Sequence, residues 1–194
     1  MAKTINKKNL IIWQIGGFFF LIGVGSLLHF TYAWSEFSPI VGMLSAVNES
    51  VWEHLKLGFW SLVFFSLIDY WFIGKGVKRY FLAKALGILT LQIFIVAFFY
   101  VYTIFTGEEI LIIDIISFVI GCALCQVVFY RIFNDDKAPA WGDRFGIGVF
   151  IVHAVLLITF SFWTPKTEIF ADPHSGEYGT SWHVDPDDHE GHDH

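Results

Sequence analysis

The 194-residue chain is only 15% charged but 19% aromatic, with 22 Phe and 8 Trp and a formal net charge of −6. A soluble domain is about a quarter charged and at this size has too little interior to hide so much aromatic surface, so the composition excludes an ordinary soluble fold and points to a lipid bilayer. Eight of the 18 acidic residues follow Pro165, which leaves the body near neutral and without a basic surface that could track nucleic acid.

Residues 1–9 are polar and basic, and an apolar run from about 10 to 34 follows. Its length and the lack of a small-x-small cleavage site argue for an uncleaved anchor rather than a signal peptide. Residues 35–50 read as a loop or short interfacial helix interrupted by Pro39 and Gly42. Further apolar runs cover about 51–73, 81–105, 110–133 and 145–163, each near the roughly 20 residues a transmembrane helix needs. Gly107-Glu108-Glu109 reads as a tight turn, and Thr164-Pro165 ends the last run because proline cannot continue the helical ladder. The expected fold is all-α: an integral membrane bundle of five transmembrane helices over residues 1–165. An ordered segment over 166–179, whose turn formers with Phe170 and Tyr178 between them suit it to fold back onto the outer face, and a flexible, acidic, His-rich tail over 180–194 complete the expected organisation.

In a five-span arrangement Lys3, Lys7, Lys8, Lys75, Lys78, Arg79, Lys84, Arg131, Lys137 and Arg144 fall on one side, and only Lys56 and Lys166 on the other. The positive-inside rule then places the N-terminus in the cytoplasm and the C-terminus outside the cell membrane. Trp34, Trp52, Trp71 and Trp163 fall near the predicted boundaries, where interfacial anchors are expected.

The chemistry concentrates in Asn48-Glu49-Ser50-Val51-Trp52-Glu53-His54-Leu55-Lys56, four ionisable side chains at the mouth of an apolar span. Ser50-x-x-Glu53 fits a helix capping box, which accounts for two residues without any function. Glu49 and Glu53 would share a face if the helix began early, with a cation or proton between them. His29 is five residues short of Trp34, about 7 Å inside the outer boundary. Asp114 lies about one turn into the fourth span. Imidazoles and carboxylates at one level suit a divalent metal, zinc above all. His153, about 16 Å deep, would join His29 and His54 only through a kinked segment. The alternative for it is a neutral imidazole bonded to another helix. Candidate ligands are therefore His29, Glu49, His54, Asp114 and His153, with His189, His192 and His194 in the tail as a separate, weaker metal-binding segment. Asp69 is expected to pair with Lys75 or Lys78. Cys122 and Cys125 have redox-motif spacing but lie within an apolar span, where helix packing is the plainer reading.

The run His29, Pro39, Gly42 and Asn48 to Lys56, followed by Phe170-x-Asp172-Pro173-x-x-Gly176-x-Tyr178-Gly179, resembles a family of small bacterial multi-pass membrane proteins of uncharacterised function. The resemblance implies a membrane fold up to Gly179 and supplies no activity. The His-rich end departs from that pattern. Three functions fit the residues: divalent-metal binding or transport at the outer face; a zinc-dependent intramembrane hydrolase with Glu53 as catalytic general base; or a non-catalytic membrane subunit. The expected partners are the lipid bilayer and a metal ion.

Overall fold

In the computed structural model, which describes residues 5–135, 137, 139 and 141–180, five long helices run up and down. These are α1 (Lys7–Trp34), α3 (Val51–Asp69), α4 (Tyr80–Thr106), α5 (Leu111–Phe133) and α6 (Gly142–Phe162); a single turn, α2 (Pro39–Gly42), lies between the first two. Each long helix is apolar and long enough to cross a membrane, α3 together with the π-helical turn Tyr70–Gly74 that extends it. His183, His189, His192 and His194 lie outside the described residues. The end of the bundle that carries the N-terminus is called the near end below, and the opposite one the far end.

Local chemistry sets the helix limits. Asn6 caps α1 by accepting a hydrogen bond from the Lys8 amide. Pro39 opens α2 rather than breaking it, since a proline at the first position gives up no helical hydrogen bond. Gly107, at φ +77°, supplies the left-handed residue that closes α4 and starts the tight turn.

The helices bury little of themselves and expose much, as a bilayer permits. Ile104, Phe105 and Leu111 are among the large apolar side chains left on the surface. Inside, Leu21, Phe59, Leu62, Phe65, Ile88 and Leu91 form part of one core with Cys122 and Cys125, whose thiols are buried and free. α4 packs most extensively on α5 and also on α6. At Gly146 a Cβ would lie 2.4 Å from the Phe81 backbone, so the absence of a side chain sets how closely α6 approaches α4.

Two buried ion pairs mark the two ends of the core. Toward the near end Asp69 accepts from Lys84 at 2.6 Å and from the Tyr80 hydroxyl. This corrects the expected pairing with Lys75 or Lys78: Lys84 lies inside the bundle, while Lys75 lies over the Trp71 ring instead. Toward the far end Glu53 pairs with Lys56 at 2.5 Å. Trp34, Trp71 and Trp163 are exposed, as anchors should be. Trp52 is not: its ring packs on Phe170 and Phe160 beneath the C-terminal segment.

Candidate functional site

The far end is organised by residues 47–54. Ser50 caps α3, its hydroxyl accepting from the Glu53 amide at 3.3 Å. The reciprocal half of a capping box is absent, because the Ser50 amide donates to Asn48 Oδ1 at 3.0 Å. α3 therefore begins at Val51 and leaves Glu49 outside the helix. The expected shared face of Glu49 and Glu53 does not form. Glu49 turns toward α1, and Glu53 turns into the bundle.

Glu49 meets the two histidines. Its Oε2 lies 3.2 Å from His29 Nε2 and 3.5 Å from His54 Nε2, and the two Nε2 atoms are 3.3 Å apart. One ligand atom from each of the three residues falls within 4.8 Å of the others. The second nitrogen of His54 is the informative one. Nδ1 lies 2.9 Å from the Ser50 carbonyl oxygen, which can only accept, so Nδ1 carries a proton. With Nδ1 so engaged, Nε2 is the nitrogen that faces His29 and Glu49: protonated, it donates to the Glu49 carboxylate; deprotonated, it would offer its lone pair to a metal. A backbone carbonyl that fixes the tautomer of a ligating imidazole is a common feature of metal sites. The hydrogen bonds from His29, and then from His54, hold the Glu49 carboxyl far below the usual carboxylate range, against the opposing effect of its burial.

The other predicted residues divide around this trio. Asp114 lines the same cavity, but both its oxygens accept from the Tyr102 hydroxyl, at 2.8 and 2.9 Å. His153 sits on α6 with its ring against Phe59, apart from the trio. Glu53, the expected general base, has both oxygens engaged: Oε1 accepts from Ser161 at 2.6 Å, and Oε2 from Lys56 and from the Val47 amide at 3.0 Å. Its role in this geometry is to hold the loop before α3 onto the bundle.

Asp172 was not among the residues singled out as ligands, yet it positions Glu49. Its Oδ2 accepts from the Glu49 amide at 3.0 Å, and its Oδ1 from the amides of His174 and Ser175. Burial opposes ionisation of Asp172, but these three amides outweigh it and lower the carboxyl below its ordinary range. Asn48 Nδ2 adds a bond to the Gly179 carbonyl at 3.0 Å. The hairpin-like segment closed by the Ala171–Tyr178 bridge thus clamps residues 48 and 49. From it His174 reaches Glu109 at 3.1 Å across the mouth of the cavity. The sequence signals for this are the turn-forming, partly aromatic character of 169–179 and the presence of Asp172 and Gly179 in the run that carries the family resemblance.

Together the features define an all-helical, multi-pass membrane protein with a histidine–carboxylate cluster at one end of its bundle. Its sequence matches over residues 1–180 the model of a family of unknown function, DUF6512, and the chain belongs to that family. Neither the curated proteins nor the solved structures contain a match.

Proposed function

We infer that the protein binds a divalent metal ion, zinc by the nature of its donors, through His29, Glu49 and His54. The observation that carries this is the convergence of two imidazole nitrogens and one carboxylate oxygen, with the His54 tautomer set by the Ser50 carbonyl. Three protein ligands would leave a coordination position open. The distribution of Lys and Arg favours a cytoplasmic near end and a metal site on the outer face of the cell membrane. Lys56 and Lys84 are buried in ion pairs and carry no weight in that assignment.

Binding fits better than passage through the membrane. Between the cluster and the Asp69–Lys84 pair the core is mainly apolar, with Leu62, Phe65, Ile88 and Leu91, and no carboxylate of the described residues stands at that depth. The engagement of Glu53 likewise weighs against hydrolysis with that residue as base.

Elemental analysis of the purified full-length protein tests the reading. Tail histidines are common to all variants, so differences isolate the membrane site. Wild type should hold about one more zinc per chain than Glu49→Ala or His54→Ala, and His153→Ala should match wild type. Equal metal in all four proteins would overturn the assignment.

A further inference from the structure

The three ligands occupy only one pole of a cavity of about 700 Å³ between α1, α3, α4 and α5. Beyond them the walls turn apolar, with Ile22, Leu57, Ile95 and Phe118 on four different helices. From His29 to Ile22 along α1 the cavity runs about 10 Å toward the bilayer centre, and from Leu111 to Val119 along α5 about 12 Å. Ser26, Phe30 and Ile115 line it and are themselves exposed on the outside of the bundle, within the apolar spans that a bilayer would surround. A molecule can therefore enter sideways, from one leaflet, without crossing water.

We propose that this cavity binds a single-chain membrane lipid with an uncharged, hydroxyl-bearing head, its hydrocarbon between α1 and α5 and its head at the His29–Glu49–His54 pole. The volume is that of a site for a molecule of this class, and a long apolar body below a few convergent polar groups matches an amphiphile end for end. The sign of the head follows from its neighbours. Asp114, which accepts from Tyr102, and Glu109, which meets His174, flank the pole on the side of α5 and keep further carboxylate lone pairs for hydroxyl donors. With Glu49 they make three carboxylates against the two charges of a divalent ion, which opposes a phosphate or carboxylate head. An acyl ester would in addition present a carbonyl oxygen to the open metal position. This last contact rests on the metal reading above; occupation by the chain rests on the cavity alone.

Monoolein has the required parts, and oleoyl lysophosphatidic acid has the same chain with an anionic head. Binding of radiolabelled monoolein to the immobilised full-length protein in detergent, with zinc content measured on the same samples, makes the test. Saturable binding is expected, displaced by unlabelled monoolein at concentrations about tenfold below those of the lysophosphatidic acid. Ser26→Trp fills the mouth from an exposed position and should weaken binding about tenfold or more at unchanged zinc content. Ile115→Trp repeats the block from α5, should one variant fold poorly. Absence of saturable binding, or binding indifferent to both tryptophans, overturns the proposal, and preference for the phosphate overturns the assigned head group. Tryptophan-sensitive binding to a wild-type protein without zinc would uphold the lipid site and sink the metal reading alone.

Discussion

Lys56 has no exposed surface, and its ammonium places all three protons: on Glu53, on the Gly42 carbonyl at 2.7 Å and on the Ser161 hydroxyl at 2.8 Å. Ser161 in turn donates to Glu53, which closes the network. Removing one member strands the other charge inside the bundle. Lys56→Met should destabilise the protein by about 3–5 kcal/mol, measured by unfolding in detergent. Glu53→Leu combined with Lys56→Met should be less damaging than the sum of the two changes, because neither charge is then orphaned. Recovery stays incomplete, since the Val47 amide also loses its acceptor. At this scale the sequence was half legible. Residue type and depth placed His29, Glu49 and His54 near one level; the depth of His153 counted against it, yet it stayed among the candidate ligands. The direction of Glu53 was hidden because its partner Ser161 stands 108 residues away, and Asp114 was at the right level but is held by Tyr102.

Elements show the same contrast between local and distant causes. The five spans were readable because a bilayer demands long apolar runs, and little else in a sequence produces them. That 169–179 folds back onto this end was expected from its turn formers and aromatics; what it holds was not, because its two main contacts with the site go to and from backbone groups, Glu49 N and Gly179 O. Gly179 sits at φ +63°, and a Cβ there would lie 2.4 Å from Thr164 Oγ1. Gly179→Ala is therefore strained in its backbone and crowded as well. It should speed hydrogen exchange at the amides of Glu49, His174 and Ser175, and Asp172→Ala should do so more strongly. The dependence on acidity has a definite sign. Because the folded carboxyl of Asp172 titrates below its ordinary value, the clamp's contribution is complete above that ordinary value and disappears as pH falls through the lower, folded one. Protection of these amides should thus be complete above about pH 4 and be lost only below it, as the folded carboxyl itself takes up a proton.

For the molecule as a whole, orientation decides what the site can meet. Glu108, in the α4–α5 turn, and Lys75, after the π-helical turn, lie at opposite ends of the bundle and are both exposed. With Cys122 and Cys125 buried, a membrane-impermeant maleimide applied to intact cells should label Glu108→Cys at once and Lys75→Cys only after permeabilisation. The reverse pattern would put the cluster in the cytoplasm. Such labelling reads the positive-inside assignment directly, without assuming any function.

The run from Asn48 to Lys56 interleaves three separate duties within nine residues. Asn48 and Ser50 start the helix, Glu53 and Lys56 lock it into the bundle, and Glu49 and His54 face the cavity. Ser50 belongs to two of these at once, through its hydroxyl and its carbonyl. A scan of this stretch by genetic complementation would consequently score nearly every position as essential, for reasons that have nothing in common. Abundance would have to be measured beside phenotype to sort them. Loss of protein would accompany changes at 53 and 56, whereas a silent protein at normal levels would single out 49 and 54.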